Sequence, residues 1–411
     1  MSKLEELISE LCPDGVEYKT LGEIATDIYR GSGITRDQVT PTGTPCVRYG
    51  EIYTTYGIWF EKCVSFTNEN TITNKKYFKY GDLLFAITGE SVEEIAKSCV
   101  YIGQDICLAG GDIVVLKHNQ DPKYLSYVLS TTDAQKQKSK NKVKSKVVHS
   151  SVPAISKIII PLPPLPVQRE IVRILDNFTE LTAELTAELT AELTARKKQY
   201  EFYRDELIMF PDCEIKPFGQ IASIVRGASP RPINNFITDD ENGINWIKIG
   251  DVSTGSKYIT STKEKITQAG ARKSRFVSPG DFVLSNSMSF GRPYILKTEG
   301  CIHDGWLSIS DFEETFTSDF LYHLLSSSVI QKTLAQRASN GTVQNLNADI
   351  VKSLELPVPS KDIQKKIVSI LDRFDTLCND LTNGLPAEIE ARRKQYEYYR
   401  DELLTFKEAK A

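Results

Sequence analysis

Between residues 168 and 209 apolar and polar positions follow a helical period, with no glycine or proline to interrupt them. Leu181, Leu185, Leu189 and Leu193 fall every four residues, because residues 182–193 read Thr-Ala-Glu-Leu three times in succession. At ~1.5 Å per residue, a run of this length makes a rod of about 63 Å. Such a helix in mid-chain is either a spacer between domains or a ruler whose length sets the distance between two binding modules. Ile171, Ile174, Phe178, Leu181 and Leu185 form a heptad seam, and Ile367, Ile370, Phe374, Leu377 and Leu381 form a second. The matched seams predict two helices packed on each other as an antiparallel coiled coil. Each four-residue step turns the leucine stripe about 40° past a full turn, so the later leucines leave the seam. At the aligned place the second helix carries Asn383, Gly384, Leu385 and Pro386, which predict a break near 383–386.

Outside the helices the pattern shortens to strand-like runs at residues 52–60, 83–87 and 113–116, and again at 246–249 and 282–284. Helices are expected from Pro122, behind an Asp121 cap, to about Gln137, and over 317–337. The proline-rich residues 161–166 read as a stiff extended lead-in. Residues 1–11 form a short charged amphipathic helix, and the last helix ends near Phe406, so the chain ends could meet and close a ring.

The chain repeats itself. Residues 195–207 read ARKKQYEFYRDEL and residues 391–403 read ARRKQYEYYRDEL, a shift of 196 (391 − 195). At the same shift Ile171–Asp176 matches Ile367–Asp372, and Ile160–Pro163 matches Leu356–Pro359. Cys46–Glu51 answers Trp246–Asp251 and Pro13-Asp14 answers Pro211-Asp212 with slight drift. The chain is therefore two copies of one unit. The implied organisation is an N-terminal helix (1–12), a mixed α/β domain (13–165), a spacer helix (166–210), a second mixed domain (211–359) and a C-terminal helix (360–411). The fold class is α+β, two globular domains separated by a long antiparallel two-helix coiled coil with an internal two-fold repeat.

Lys plus Arg number 50 against 54 Asp plus Glu, a net charge of −4, so nucleic-acid binding must rest on local clusters. No apolar run reaches the ~20 residues of a membrane span. Eight scattered cysteines suit buried thiols in a reducing cytoplasm. Four scattered histidines offer no metal cluster, His303-Asp304 is a lone pair without a counterpart in the first copy and reads as structural, and no Walker loop is present. Asp121-Pro-Lys-Tyr124 is similar to a methyltransferase loop but lacks its second proline, and a helix cap explains it. The reading is a non-catalytic chain.

The cationic candidates are local. Lys136, Lys138, Lys140, Lys142, Lys144 and Lys146 alternate, and if extended would line one phosphate-binding edge; otherwise they form a solvated loop. Arg30-Gly-Ser-Gly33 answers Arg226-Gly-Ala-Ser229, and Thr88 lies near the counterpart of Asn286, Ser287, Ser289 and Arg292. With Arg36, Lys75, Lys76, Arg231, Arg337, Asn340 and Thr342 these are the candidate DNA contacts on glycine-bent loops. The charged tyrosine-rich helix ends carry Arg196, Lys197, Tyr200 and Tyr203, then Arg392, Arg393, Tyr396 and Tyr399. They are candidates for a partner interface, or else only hold the helices together.

This pattern of diverged domains, near-identical helices, the QREIVRILD stretch at 168–176, the TAEL repeats and the KQYE(F/Y)YRDEL blocks resembles the specificity subunits of type I restriction–modification enzymes. The resemblance implies that each domain reads one half of a split double-stranded DNA target and that the helices dock two adenine methyltransferase subunits. It further implies two outer restriction subunits, with S-adenosylmethionine, ATP and magnesium held by those partners and no cofactor here. A coiled-coil adaptor with protein-binding end domains is the competing reading.

Overall fold

The computed structural model describes residues 2–140, 148–209, 213–252, 256–286, 290–338, 346–379 and 384–409. The chain divides into two compact units, Met1–Thr186 with Glu390–Ala411, and Ala187–Ile389.

Each unit is built on two five-stranded sheets. In the first unit the strands are β1 (Ala25–Arg30), β2 (Val39–Thr40), β3 (Thr44–Val47), β4 (Trp59–Phe60), β5 (Ser65–Thr67), β6 (Tyr77–Phe78), β7 (Leu83–Ala86), β8 (Ser98–Tyr101), β9 (Cys107–Ala109) and β10 (Ile113–His118). Their orders are β1-β10-β7-β8-β4 and β2-β5-β3-β9-β6. In the second unit they are β11 (Ser223–Arg226), β12 (Ile237–Thr238), β13 (Ile244–Ile247), β14 (Tyr258–Ile259), β15 (Glu264–Ile266), β16 (Arg275–Val277), β17 (Phe282–Ser285), β18 (Pro293–Leu296), β19 (Gly300–Ile302) and β20 (Trp306–Ser310). Their orders, β11-β20-β17-β18-β14 and β12-β15-β13-β19-β16, repeat the first unit strand for strand. The central strands are continuous apolar runs because both faces are covered: Leu83, Leu84, Phe85, Phe282, Val283 and Leu284 are fully buried. Short ladders, Tyr18–Thr20 with Ile159–Pro161 and Glu214–Pro217 with Glu355–Val358, tie together the two ends of each mixed segment.

The helices are α1 (Lys3–Leu11), α2 (Tyr49–Thr54), α3 (Pro122–Leu129), α4 (Thr132–Lys140), α5 (Leu165–Ile208), α6 (Ser318–Leu325), α7 (Ser328–Ala338), α8 (Lys361–Asn379) and α9 (Leu385–Leu403). α5 runs 44 residues without interruption, as the TAEL stretch predicts. It begins inside the proline run, since Pro166 sits in its first turn, where the missing N–H costs nothing. α8 and α9 are separate, with Gly384 between them and Pro386 in the first turn of α9; Leu381 and Asn383 lie outside the described residues.

Two local expectations are corrected. Residues 52–60 are not one strand: a capping box between Arg48 and Glu51 starts α2, and only Trp59–Phe60 pair as strand. The helices expected at 122–137 and 317–337 are each two, α3 with α4 and α6 with α7. At each joint an aspartate of the repeated helical block caps the second helix: Asp401 accepts from the Thr132 N–H at 3.0 Å, and Asp205 from the Ser328 N–H at 3.0 Å. The first residue of each seam enters the core of its own unit. Ile171 and Leu175 are buried in the core of the first unit, and Ile367 and Leu371 in that of the second. The seam phenylalanines meet the tyrosine blocks. Phe178 lies 6.2 Å from Tyr399 in the first unit, and Phe374 lies 5.7 Å from Tyr203 in the second, the same contact at the 196 shift.

Within each unit the helix pair is antiparallel. In the first, Phe178 and Thr179 of α5 meet Tyr399 and Tyr396 of α9 in descending order. In the second, Tyr203 of α5 meets Phe374 of α8 while Lys197 faces Cys378. α1 docks through Lys3, 3.0 Å from Glu170, whose carboxyl is pulled down to about 2 by bonds to Arg173 and Lys3. The chain ends pair: the Val16 N–H donates to the Lys407 carbonyl at 2.8 Å, and Ala409 N–H to Val16 at 3.0 Å.

The lysine edge is also corrected for the residues that are described. Lys136, Lys138 and Lys140 lie on α4, where a helix turns alternate residues away from one another. Lys138 points into the core, its Nζ donating to Ser98 Oγ at 3.1 Å and the Leu129 carbonyl at 2.8 Å. Lys142, Lys144 and Lys146 lie outside the described residues. Burial without a counter-charge brings Lys138 down to about 7. The folded state thus disfavours its charged form, a penalty present below that pH and relieved as pH rises toward the unfolded value near ~10.4. Lys138→Met should raise the melting temperature by on the order of 5 °C at pH 6. The gain should shrink by pH 10, as read by a calorimetric pH series.

Candidate nucleic-acid interface

The site begins where β1 ends. Arg30 stands opposite Val114 of β10, and Gly31 follows it. A Cβ on Gly31 would lie 2.2 Å from the Gly110 carbonyl oxygen, so only glycine lets the chain press onto the turn at Gly110, Gly111 and Asp112. The Gly31 N–H donates to the Ile113 carbonyl and the Ser32 N–H to that of Ala109, both at 2.8 Å, which fixes the corner. Arg30 Nη2 donates to Asp112 Oδ1 at 2.5 Å, and its Nε donates to the Gly111 carbonyl.

The second unit builds the same corner. Arg226 ends β11 opposite Leu307 of β20, and a Cβ on Gly227 would lie 2.1 Å from the His303 carbonyl oxygen. Arg226 Nε donates to the Asp304 carbonyl at 3.1 Å. The Asp304 carboxylate accepts from Ser229 Oγ at 2.7 Å and Arg231 Nη2 at 3.3 Å. The Ser229 bond, ahead of the nearby His303 and Arg231, holds that carboxyl below its usual range. Burial pushes His303 down, and its Nδ1 accepts from the Gly305 N–H at 2.7 Å.

Beside the first corner lies an open cleft of about 470 Å³ lined by Arg36, Arg48, Tyr49, Glu51, Thr54 and Asp112, among others. Buried Glu51 sets its wall, accepting from Arg48 Nε at 2.9 Å and Ser65 Oγ at 2.6 Å. In the second unit Asp251 accepts from the Lys248 N–H at 2.8 Å and the Lys263 N–H at 3.2 Å. Each unit therefore offers exposed guanidinium groups on a glycine-bent corner, Arg30 in the first and Arg226 with Arg231 in the second. That chemistry suits phosphate oxygens and the acceptor edges of bases.

Of the expected contacts, Arg30 and Arg36 border the first corner, and Lys76 adjoins it, since its carbonyl accepts the Ala109 N–H at 2.8 Å. Lys75 is held by Glu69 at 3.6 Å. Thr88 sits on a short ladder with His149, one residue beyond Ile87, whose N–H donates to the Asp112 carbonyl of the corner at 3.0 Å. Lys140, exposed at the end of α4, lines a different cleft with Glu93, Lys136 and Arg400. Arg226 and Arg231 meet at the second corner. Asn286 does not present itself: it is buried, and its amide donates to the Asp304 carbonyl at 2.8 Å, so it braces the turn. Arg292 lines a separate cleft with Tyr200, Arg204 and Tyr322, and Arg337 is tied to Ser353 at 2.7 Å. Ser287, Ser289, Asn340 and Thr342 lie outside the described residues.

Among the expected partner contacts, Tyr200 turns inward, its hydroxyl 3.0 Å from His323 Nδ1, and Tyr396 bonds Thr179 at 2.8 Å. Arg196 and Arg392 are half-buried, and each donates to a glutamine on its own helix, Gln199 and Gln395. Lys197, Arg393, Tyr203 and Tyr399 are exposed, as are Phe202 and Tyr398, which the repeat pairs at the same helical position. Sequence reasoning missed Arg48, Lys248 and Asp112, and it read Asp304 as structural. The signal for the first two was present in the CVRYGE and WIKIGD match.

The chain matches the family described as "Type I restriction modification DNA specificity domain" over residues 13–195 and again over 212–391. It therefore belongs to the type I restriction–modification specificity subunits. It is 36% identical over 264 residues to the EcoR124I/EcoR124II specificity subunit of Escherichia coli, an alignment spanning 61% of this chain and 63% of that one. Its fold is similar to a chain from a structure of a type I restriction–modification system (TM-score 0.74, 18% identity, 96% and 98% of the two chains). It is also similar to the HsdS subunit from Thermoanaerobacter tengcongensis (TM-score 0.55, 16% identity, 96% of each chain).

Glu51→Ala should strand the Arg48 guanidinium and the Ser65 hydroxyl in a largely buried wall. Loss of roughly 3 kcal/mol of unfolding free energy is expected, measured by urea denaturation.

Proposed function

We propose that this chain is the non-catalytic sequence-reading subunit of a cytoplasmic type I restriction–modification complex. Each unit reads one half of a split double-stranded DNA target, and the helices set the gap between the halves. The observation that carries this reading is the recurrence of the Arg-Gly corner, Arg30 with Asp112 and Arg226 with Asp304, at the same place in two units of one topology. Two readers of one design but different loop residues fit a target with two unlike halves.

In this reading the helices also dock two adenine methyltransferase subunits, and two restriction subunits join outside. S-adenosylmethionine, ATP and magnesium belong to those partners. Support for docking is the apolar surface the helices leave uncovered: Phe202 and Tyr398 are 60% and 64% exposed, and Leu181 is 63% exposed. An adaptor that binds only proteins fits the cationic corners less well. A steep salt dependence of duplex binding by the assembled complex separates the two.

The TAEL stretch acts as the ruler. One repeat adds ~6 Å of helix and about 40° of rotation beyond a full turn. A base pair of duplex adds about 3.4 Å. Mapping modified adenines in cells carrying the complex should return a two-part target. Deleting residues 186–189 should shorten its gap by about one or two base pairs, on the rise per residue of a helix, with both halves unchanged. An unaltered gap, or a target without two parts, would contradict the reading.

A further inference from the structure

Both corners contain a carboxylate where a DNA-facing surface is expected to be purely cationic, and in both it is committed to holding the corner's arginines. Asp112 Oδ1 takes Arg30 Nη2 at 2.5 Å. Asp304 takes Arg231 Nη2 on its carboxylate at 3.3 Å and Arg226 Nε on its carbonyl at 3.1 Å. The two acids do not stand at the same register. Asp112 lies two residues before Val114, the partner of Arg30 across the strands, whereas Asp304 lies three before Leu307, the partner of Arg226. The turns differ by a residue, yet each delivers a carboxylate to an arginine of its own corner, Asp112 to Arg30 and Asp304 to Arg231.

Stability does not account for these pairs. The Arg231 and Asp304 side chains are 82% and 41% exposed, and those of Arg30 and Asp112 are 60% and 36% exposed. Ion pairs this open to water contribute about 0–1 kcal/mol. What they do change is freedom. A lone exposed arginine loses several rotors' worth of entropy on meeting a base, whereas one already held by a carboxylate and a carbonyl has lost it beforehand. A guanidinium has five N–H donors. Arg30 spends one on Asp112 and one on the Gly111 carbonyl, and the rest of its fork is left to face a ligand in a fixed plane. Fixed planes are what bidentate recognition of a guanine edge requires, because a misplaced acceptor then meets an N–H at the wrong angle or the carboxylate itself.

We propose that Asp112 and Asp304 are positioning residues for half-site discrimination, each holding the arginine that reads its own half of the target. This rests on the DNA-reading function proposed above. Asp112→Asn and Asp304→Asn keep the side-chain shape and remove the charge. The assembled complex carrying each variant is tested for adenine modification on a library randomised in both halves. Asp112→Asn should reduce discrimination by roughly tenfold at positions of one half only, Asp304→Asn at positions of the other half only. Melting temperatures should stay close to the parent, as they would not if the pairs were structural braces. Unchanged profiles in both variants would overturn the proposal. So would a uniform loss over all sequences, which marks a role in overall charge or assembly. A parent complex that modifies no two-part target would remove the underlying reading before any substitution is compared.

Discussion

A buried glutamine amide joins each mixed α/β unit to its long helix, and the geometry of the rest depends on that joint. Gln168 of α5 accepts the Asp121 N–H at 3.0 Å and donates to the Pro163 carbonyl at 2.7 Å. Gln364 of α8 accepts the Thr317 N–H at 2.8 Å and donates to the Pro359 carbonyl at 2.9 Å. Neither is exposed to solvent. An amide with both ends satisfied in a dry core is costly to break, since each partner would be left unpaired. The strand that enters the helix and the N-cap of α3 or α6 are thereby locked to one helical turn. With Asp401 and Asp205 capping α4 and α7, each unit is gripped at two places by helices of the repeated sequence. A unit gripped in this way is fixed on its helix, as the proposed ruler requires.

The joint also explains why the helical blocks match so closely while the domains have drifted. Tyr203 and Asp205, with their counterparts Tyr399 and Asp401, make equivalent contacts in the two units. One difference shows how drift is absorbed. At the 196 shift Tyr127 becomes His323. Tyr127 bonds Asp176 at 2.9 Å, and His323 bonds Asp372 at 2.9 Å and Tyr200 at 3.0 Å. The aspartate of the Ile-Leu-Asp match is kept in use by a different donor, and the His323 bond holds Asp372 below its usual range.

Much of this was legible in the sequence. The TAEL run and the absence of breakers define α5, and Gly384 with Pro386 mark the interruption before α9. The 196 shift exposes the duplication. What was not legible has a physical cause in each case. Heptad periodicity records that one face of a helix is apolar but not what covers it, and Ile171 and Ile367 are each covered by the core of their own unit. Alternation of lysines fits a strand or a loop, and only burial at Ser98 and Leu129 shows Lys138 on a helix facing inward. Asp112 and Asp304 carry no motif, since their role arises from a turn meeting the end of a strand about eighty residues away in sequence. Asn286 lies in the loop that was singled out, yet it serves the fold of that loop.

The central claim is that two structurally independent readers each govern one half of the target. The most direct test replaces residues 13–165 with the corresponding segment of a relative of different specificity and maps the adenines modified by the reassembled complex. The account predicts that one half of the target changes to the donor's sequence while the other half and the gap are retained. A change in both halves, or retention of the original target, would contradict it.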